Sequence, residues 1–206
     1  MFNSMKKVVQ SVEKTWQHLA SHAEQGNAWD NETNLYKRGI LMNAQILSDR
    51  VDVDTKIEAL KKIGHLAYTG GPEASKSAGK YIHLVLEILN NIENPRALRI
   101  QAVRSVSEIC KGHRDNIDSF VRNGGISSIT DNLGSTTDPR MTRWCIYTLV
   151  TSSVNNLAIL RALSGVPDLP NLLRKTVGLS WNGWECNYAT ILLTLLGYKD
   201  ETDKQS

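Results

Sequence analysis

Apolar residues recur along this chain at helical spacing, and nowhere do they alternate as they would in a half-buried strand. Ile57, Leu60, Ile63 and Leu66 form one such stripe, and Ile100, Val103, Val106 and Ile109 repeat it 43 residues later. Ile82, Val85 and Leu89 carry the i, i+3, i+7 spacing that returns in Ile126, Ile129 and Leu133, 44 residues on. The segments 116–133 and 156–173 align directly: Asn116 with Asn156, Phe120 with Leu160, Gly125 with Gly165, Ile126 with Val166 and Ile129 with Leu169. Cys145-x-Tyr147 comes back as Cys186-x-Tyr188, and Pro95-Arg96 with Arg99 comes back as Pro139-Arg140 with Arg143.

A period of 40–44 residues made only of helical stripes predicts an all-α solenoid, in which each unit buries its apolar face on the next. The units expected are 51–93, 94–137 and 138–177, with a half unit at 178–198, about three and a half repeats in all. Gly70-Gly71-Pro72, Gly124-Gly125 and Gly134-Ser135 mark turns, and Pro95 and Pro139 suit the first turn of a helix. Ahead of the units, Val8, Val9, Val12, Trp16, Leu19 and Ala23 form one stripe, and a second helix is expected around 35–47. Residues 1–50 are therefore read as capping helices and 199–206 as a polar tail. The last helix of each unit is expected at 82–90, 126–134 and 166–175.

Asn116, Gly124-Gly125-Ile126, Ile129 and Leu133 resemble the armadillo repeat, with its Asn, its Gly-x-Ile and its Leu-rich last helix. The resemblance is fullest over 94–137, thinner over 138–177 and faintest over 51–93, which has no matching Asn. The short chain is also similar to the small armadillo-like helical domain proteins. The resemblance implies a groove, lined by the last helices, that takes up extended peptides or partner helices. Glu87, Asp131 and Asn171 fall on those helices and would line it. No tryptophan occurs on them, unlike the ladder of the import-receptor subgroup.

Composition adds one contrast. The 206 residues are 41% hydrophobic and 6% aromatic, too much core material for a disordered chain. The net charge of +3 gives no general case for a polyanion or a membrane surface. Yet nine of the eleven arginines lie in 94–177, which carries +5 while the rest sums to −2. Arg96/Arg99, Arg140/Arg143 and Trp181/Trp184 occupy corresponding places at the starts of successive first helices. That predicts a ladder of guanidinium groups ending on two indoles, a partner-binding edge of the residue types enriched in hot spots. The competing reading is a solvated face, with the arginines paired to Glu93 or Asp138 and the tryptophans in the core.

Motifs for chemistry are scarce. Gly79-Lys80 lacks both the glycine five residues earlier (Ala74 stands there) and the Ser or Thr that would hold magnesium (Tyr81 does). His18 and His22 share a helix face but have no third ligand. The other histidines and the acidic residues form no nucleophile or paired-carboxylate pattern. No metal, cofactor or catalytic residue is expected. Three widely spaced cysteines, Cys110, Cys145 and Cys186, suit buried, reduced thiols. No secretory leader, lipidation motif or run of about 20 apolar residues is found, so an intracellular, cytoplasmic location is expected, with the nucleus and the cilium as alternatives. The function expected is that of a non-enzymatic interaction module, an adaptor or assembly component binding a protein segment. Two alternatives stand beside it: nucleic-acid binding along the arginine edge, and a structural brick of a cytoskeletal or ciliary assembly.

Overall fold

The computed structural model describes residues 32–198, and these hold eleven helices and no strand. Helix α1 (Leu35–Ser48) precedes three consecutive triplets. The first is α2 (Val53–Thr69), α3 (Gly71–Gly79) and α4 (Ile82–Asn90), and the second is α5 (Arg96–Cys110), α6 (Arg114–Arg122) and α7 (Gly125–Ser135). The third is α8 (Pro139–Ser153), α9 (Leu157–Ser164) and α10 (Leu169–Val177), after which comes α11 (Tyr188–Leu195). The stripe from Val8 to Ala23, the His18/His22 pair and the tail 199–206 lie outside the described residues.

The starts of these helices follow from local chemistry. Side chains of Asn34, Asp52, Asp138, Asn156 and Asn187 accept hydrogen bonds from the first free N–H groups of α1, α2, α8, α9 and α11. Each such cap is worth about 1 kcal/mol. Pro95 stands at the N-cap of α5 and Pro139 opens α8, where a missing N–H removes no helical bond. The two glycines before α7 serve different needs. Gly124 adopts φ 74°, and a Cβ on Gly125 would lie 2.2 Å from the Phe120 ring.

The long helices α2, α5 and α8, with the shorter α11 at their end, form one continuous row: α2 packs on α5, α5 on α8, and α8 on α11. Leu60, Val103, Ile146 and Ala189 stand at 43-residue intervals in that row, as do Ile63, Val106, Leu149 and Leu192, and all eight are fully buried. Burying a Leu, Ile or Val side chain contributes roughly 1.5–3 kcal/mol, so this repeated seam is the main cohesive term. The short helices form a second layer in which α3 meets α6 and α4 meets α7. One boundary differs from expectation. The third short helix was placed at 166–175, but α10 begins at Leu169, because Pro167 keeps Val166 out of helical geometry. Asp168, with φ 59°, takes the left-handed turn that Gly124 makes in the preceding unit.

Two of the three thiols are buried as expected, and the apolar surroundings push Cys110 and Cys145 up to about 12. Cys186 is only half-buried, in the turn before α11.

Candidate functional site

The starts of α5 and α8 meet at Asp138. Its Oδ1 accepts the backbone N–H groups of Arg140 (2.8 Å) and Met141 (3.4 Å), and its Oδ2 lies 3.5 Å from Arg140 and 3.6 Å from Arg96. Burial alone would raise this carboxyl; the backbone and guanidinium of Arg140, with the Met141 N–H, outweigh it and hold the group below its ordinary range. Arg96 and Arg140 are thus brought together, on one carboxylate, with their side chains still 68% and 69% exposed.

The remaining members of the expected ladder separate. Arg99 turns inward, donating from Nε to the Leu89 carbonyl (2.9 Å) and from Nη2 to Asn132 Oδ1, so it ties α5 to the second layer. Arg143 is half-buried, with its Nε shielded from solvent and without a hydrogen-bond partner. Trp181 is a core residue, 9% exposed, its indole N–H donating to the Thr176 carbonyl. The predicted stacking of this ladder's guanidinium groups on Trp181 and Trp184 does not occur; Arg104 lies over Trp144 instead, 5.4 Å from the ring centroid. The cause is register. The proline–arginine pairs recur at 44 residues, whereas the buried seam of the long helices recurs at 43, and one residue is about 100° of helix rotation. In the 43-residue register Arg143 occupies the place of Ile57 and Ile100, both half-buried against the core.

Sequence reasoning missed the aromatic strip on the row of long helices. Trp144 and Tyr147 of α8 meet Trp184 at ring-centroid distances of 4.8 and 5.6 Å, and Tyr147 meets Tyr188 of α11 at 4.9 Å. All four are half-buried. Tyr188 is raised well above the usual phenol range by burial and by its hydrogen bond with Cys186. Cations flank the strip. Arg104 sits over Trp144 while paired with Glu108 (3.0 Å), and Lys111 lies 5.0 Å from the Tyr68 centroid. Tyr147 and Tyr68 hold the Lys111 ammonium above its ordinary value, mainly through the field of Tyr147 and a hydrogen bond to it. Trp181 spends its indole N–H internally, whereas the indole N–H groups of Trp144 and Trp184 donate to no described residue. The signal that could have found the strip was present: the recurrence of Cys145-x-Tyr147 as Cys186-x-Tyr188 places two tyrosines on successive long helices.

Glu87, Asp131 and Asn171 are exposed on α4, α7 and α10, in the second layer rather than on the continuous row. Asn171 accepts from Arg174 (3.2 Å), and no ion pair engages Glu87 or Asp131 among the described residues. Gly79, once weighed as part of a phosphate loop, serves packing: a Cβ there would lie 2.0 Å from Asn116 Oδ1. No cluster of three or more His, Cys, Asp or Glu with metal-binding geometry occurs among the described residues, and no helix there is long and apolar enough to cross a membrane.

Known proteins resemble this chain in sequence and in fold. The family model described as Armadillo-like helical domain-containing protein 2 matches residues 1–200. A solved structure described as an engineered protein, Northeast Structural Genomics Consortium target OR329, superposes with a TM-score of 0.63 at 18% identity. That superposition covers 79% of this chain and 62% of the engineered one, and at such identity it speaks for the fold alone. A search of the curated proteins finds no match.

Proposed function

Because the chain belongs to the family of armadillo-like helical domain-containing protein 2, we propose that it is a non-enzymatic protein-interaction module, an adaptor or assembly component. Its binding face is the row of long helices. The observation that carries this reading is the half-exposed strip of Trp144, Tyr147, Trp184 and Tyr188, bordered by Arg104 and Lys111. Trp, Tyr and Arg are the side chains on which interface energy concentrates, and two indole donors without internal partners can take backbone carbonyls of an extended segment. A solenoid offers such a segment several successive helices to cross. The arginine edge at Asp138 continues the same face at the start of α8. Membership of the family supports an interaction role as analogy, and the named side chains support the choice of surface.

A photo-crosslinking residue at Tyr147 tests the reading. In extracts of cells that express the protein, it should trap a discrete polypeptide, while the same residue at Asp131 in the second layer should trap none. Trapping at Asp131 and not at Tyr147 would move the site to the short helices, and trapping at neither would end the reading.

A further inference from the structure

We propose that the edge formed by the first turns of α5 and α8 is a carboxylate-binding site that receives an acidic segment of a protein partner. Arg143 is its receiving fork, and Arg96 and Arg140 are its outer cations. The inference rests on the protein-binding reading above and names the chemistry of the partner.

Arg143 is the unusual residue. Its place in the repeat belongs to isoleucine in the two preceding units, Ile57 and Ile100, so the arginine stem fills an apolar seat and its Nε is shielded without an acceptor. A guanidinium nitrogen withdrawn from water and left without a hydrogen bond is unfavourable unless a ligand supplies the acceptor. The contrast with Arg99 is instructive. That guanidinium finds the Leu89 carbonyl and Asn132, and Asn132 is itself braced by the Ser128 carbonyl. Between the second and third units Asn90 and Asn132 are replaced by Gly134 and Leu172, which stand side by side there as well: a Cβ on Gly134 would lie 3.8 Å from Leu172 Cδ1. Polar brackets of that kind are missing beside α8.

The nearby carboxylate cannot fill the gap. Both oxygens of Asp138 are engaged, by two backbone N–H groups and by Arg96 and Arg140. Two arginines therefore share that one carboxylate, and Arg143 adds a third guanidinium that it does not serve. Arg140 and Arg143 lie three apart on one helix face, and Arg96 reaches the same Asp138 from α5. The excess is positive, and a planar fork seated in apolar surroundings matches the two oxygens of a carboxylate. A nucleic-acid backbone fits less well, since a phosphate-tracking surface makes on the order of six to ten such contacts. Exposed Glu93, three residues before Arg96, would also oppose a continuous polyanion.

The test uses the full chain and a fluorescein-labelled peptide of alternating glutamate and serine, read by fluorescence anisotropy at low salt. The glutamate peptide should bind, and its glutamine counterpart should bind at least about tenfold more weakly. Arg143→Met, which keeps the apolar stem, should weaken the glutamate peptide about tenfold or more without lowering the melting temperature. Arg143→Lys, a second variant that retains the charge without the fork, should weaken it as well. Equal binding of the glutamine peptide, or unchanged binding by both Arg143 variants, overturns the proposal. If no glutamate peptide binds while the crosslinker at Tyr147 still traps a protein, only the carboxylate site is lost; if both fail, the interaction reading falls with it. An oligothymidylate that displaces the peptide and outbinds it would replace the acidic segment with nucleic acid.

Discussion

Two joints in the outer layer of this stack are built from aligned segments and close differently. At the first, between α3 and α6, the buried positions of α3 are small (Ala74, Ser75, Ser77, Ala78, Gly79) and let α6 approach. Asn116, 3% exposed, then donates to the Ser75 carbonyl, the Ser75 hydroxyl and the Ile109 carbonyl. At the second joint the aligned Asn156 reaches only its own helix, accepting from the Ile159 N–H at 3.3 Å. Asp118, Val121 and Arg122 of α6 stand where the small residues stood, and a cleft of about 270 Å³ opens between α6 and α9. The same asparagine in the same repeat position ties two units together in one place, through Ser75, and is a simple cap in the other. The lesson is that small side chains on the neighbour, more than the asparagine itself, decide whether a unit closes on the next.

The sharpest way to break this comparison is at Asn116. Asn116→Ala removes a buried donor that serves three acceptors and should cost about 3 kcal/mol in urea unfolding, whereas Asn156→Ala should cost about 1 kcal/mol, the value of a cap. Gly79→Ala should approach the Asn116 loss, because its Cβ would displace that side chain. A smaller effect is chemical. Cys110 lies under the first joint, its Sγ 3.9 Å from the Asn116 carbonyl. Only half-buried Cys186 should label rapidly in the native protein, and Asn116→Ala should add Cys110 while Asn156→Ala should not. Burial raises the Cys110 and Cys145 thiols from about 9 to about 12, so the unfolded chain loses those protons first. Their contribution is therefore full below pH 9 and falls away as pH climbs from 9 towards 12, which alkaline melting curves should register.

Hydrogen exchange gives the third measure. Amides of α9, beside the open cleft, should exchange faster than those of α3 and α6, and equal protection would show that the second joint closes in solution. The mildest expected change is Gly134→Ala. Its Cβ meets only Leu172 Cδ1 at 3.8 Å, so the helix should gain roughly 0.5–1 kcal/mol, the opposite sign to Gly79→Ala.

Much of the architecture was legible in the chain. The stripes of Leu60 and Ile63 and of Val103 and Val106 gave the period and the buried faces, because each residue reports its own face of a regular helix. Pro95 and Pro139 announced helix starts, since a proline costs no hydrogen bond there. The candidate site was legible only in part. Arg96 and Arg140 were placed near one another, and they share Asp138. Arg99 and Trp181 were read as surface and proved to be an internal tie and a core residue. Trp144, which carries Arg104, follows directly on the ladder position Arg143 in α8, and nothing in the apolar spacing marks an aromatic there as half-exposed rather than core.

The sequence by itself determined that the chain is helical, that its apolar faces return every 40–44 residues, and where prolines and glycines punctuate it. The tertiary structure decided which arginine meets a carbonyl, which meets a carboxylate and which is left with a shielded Nε in an isoleucine seat. Periodicity fixes the face a side chain occupies on its own helix to within a residue, but a slip of one residue turns it by about 100°. Whether that turn ends on an asparagine, an indole or open solvent depends on the neighbouring helix, and that helix takes its position only when the units pack.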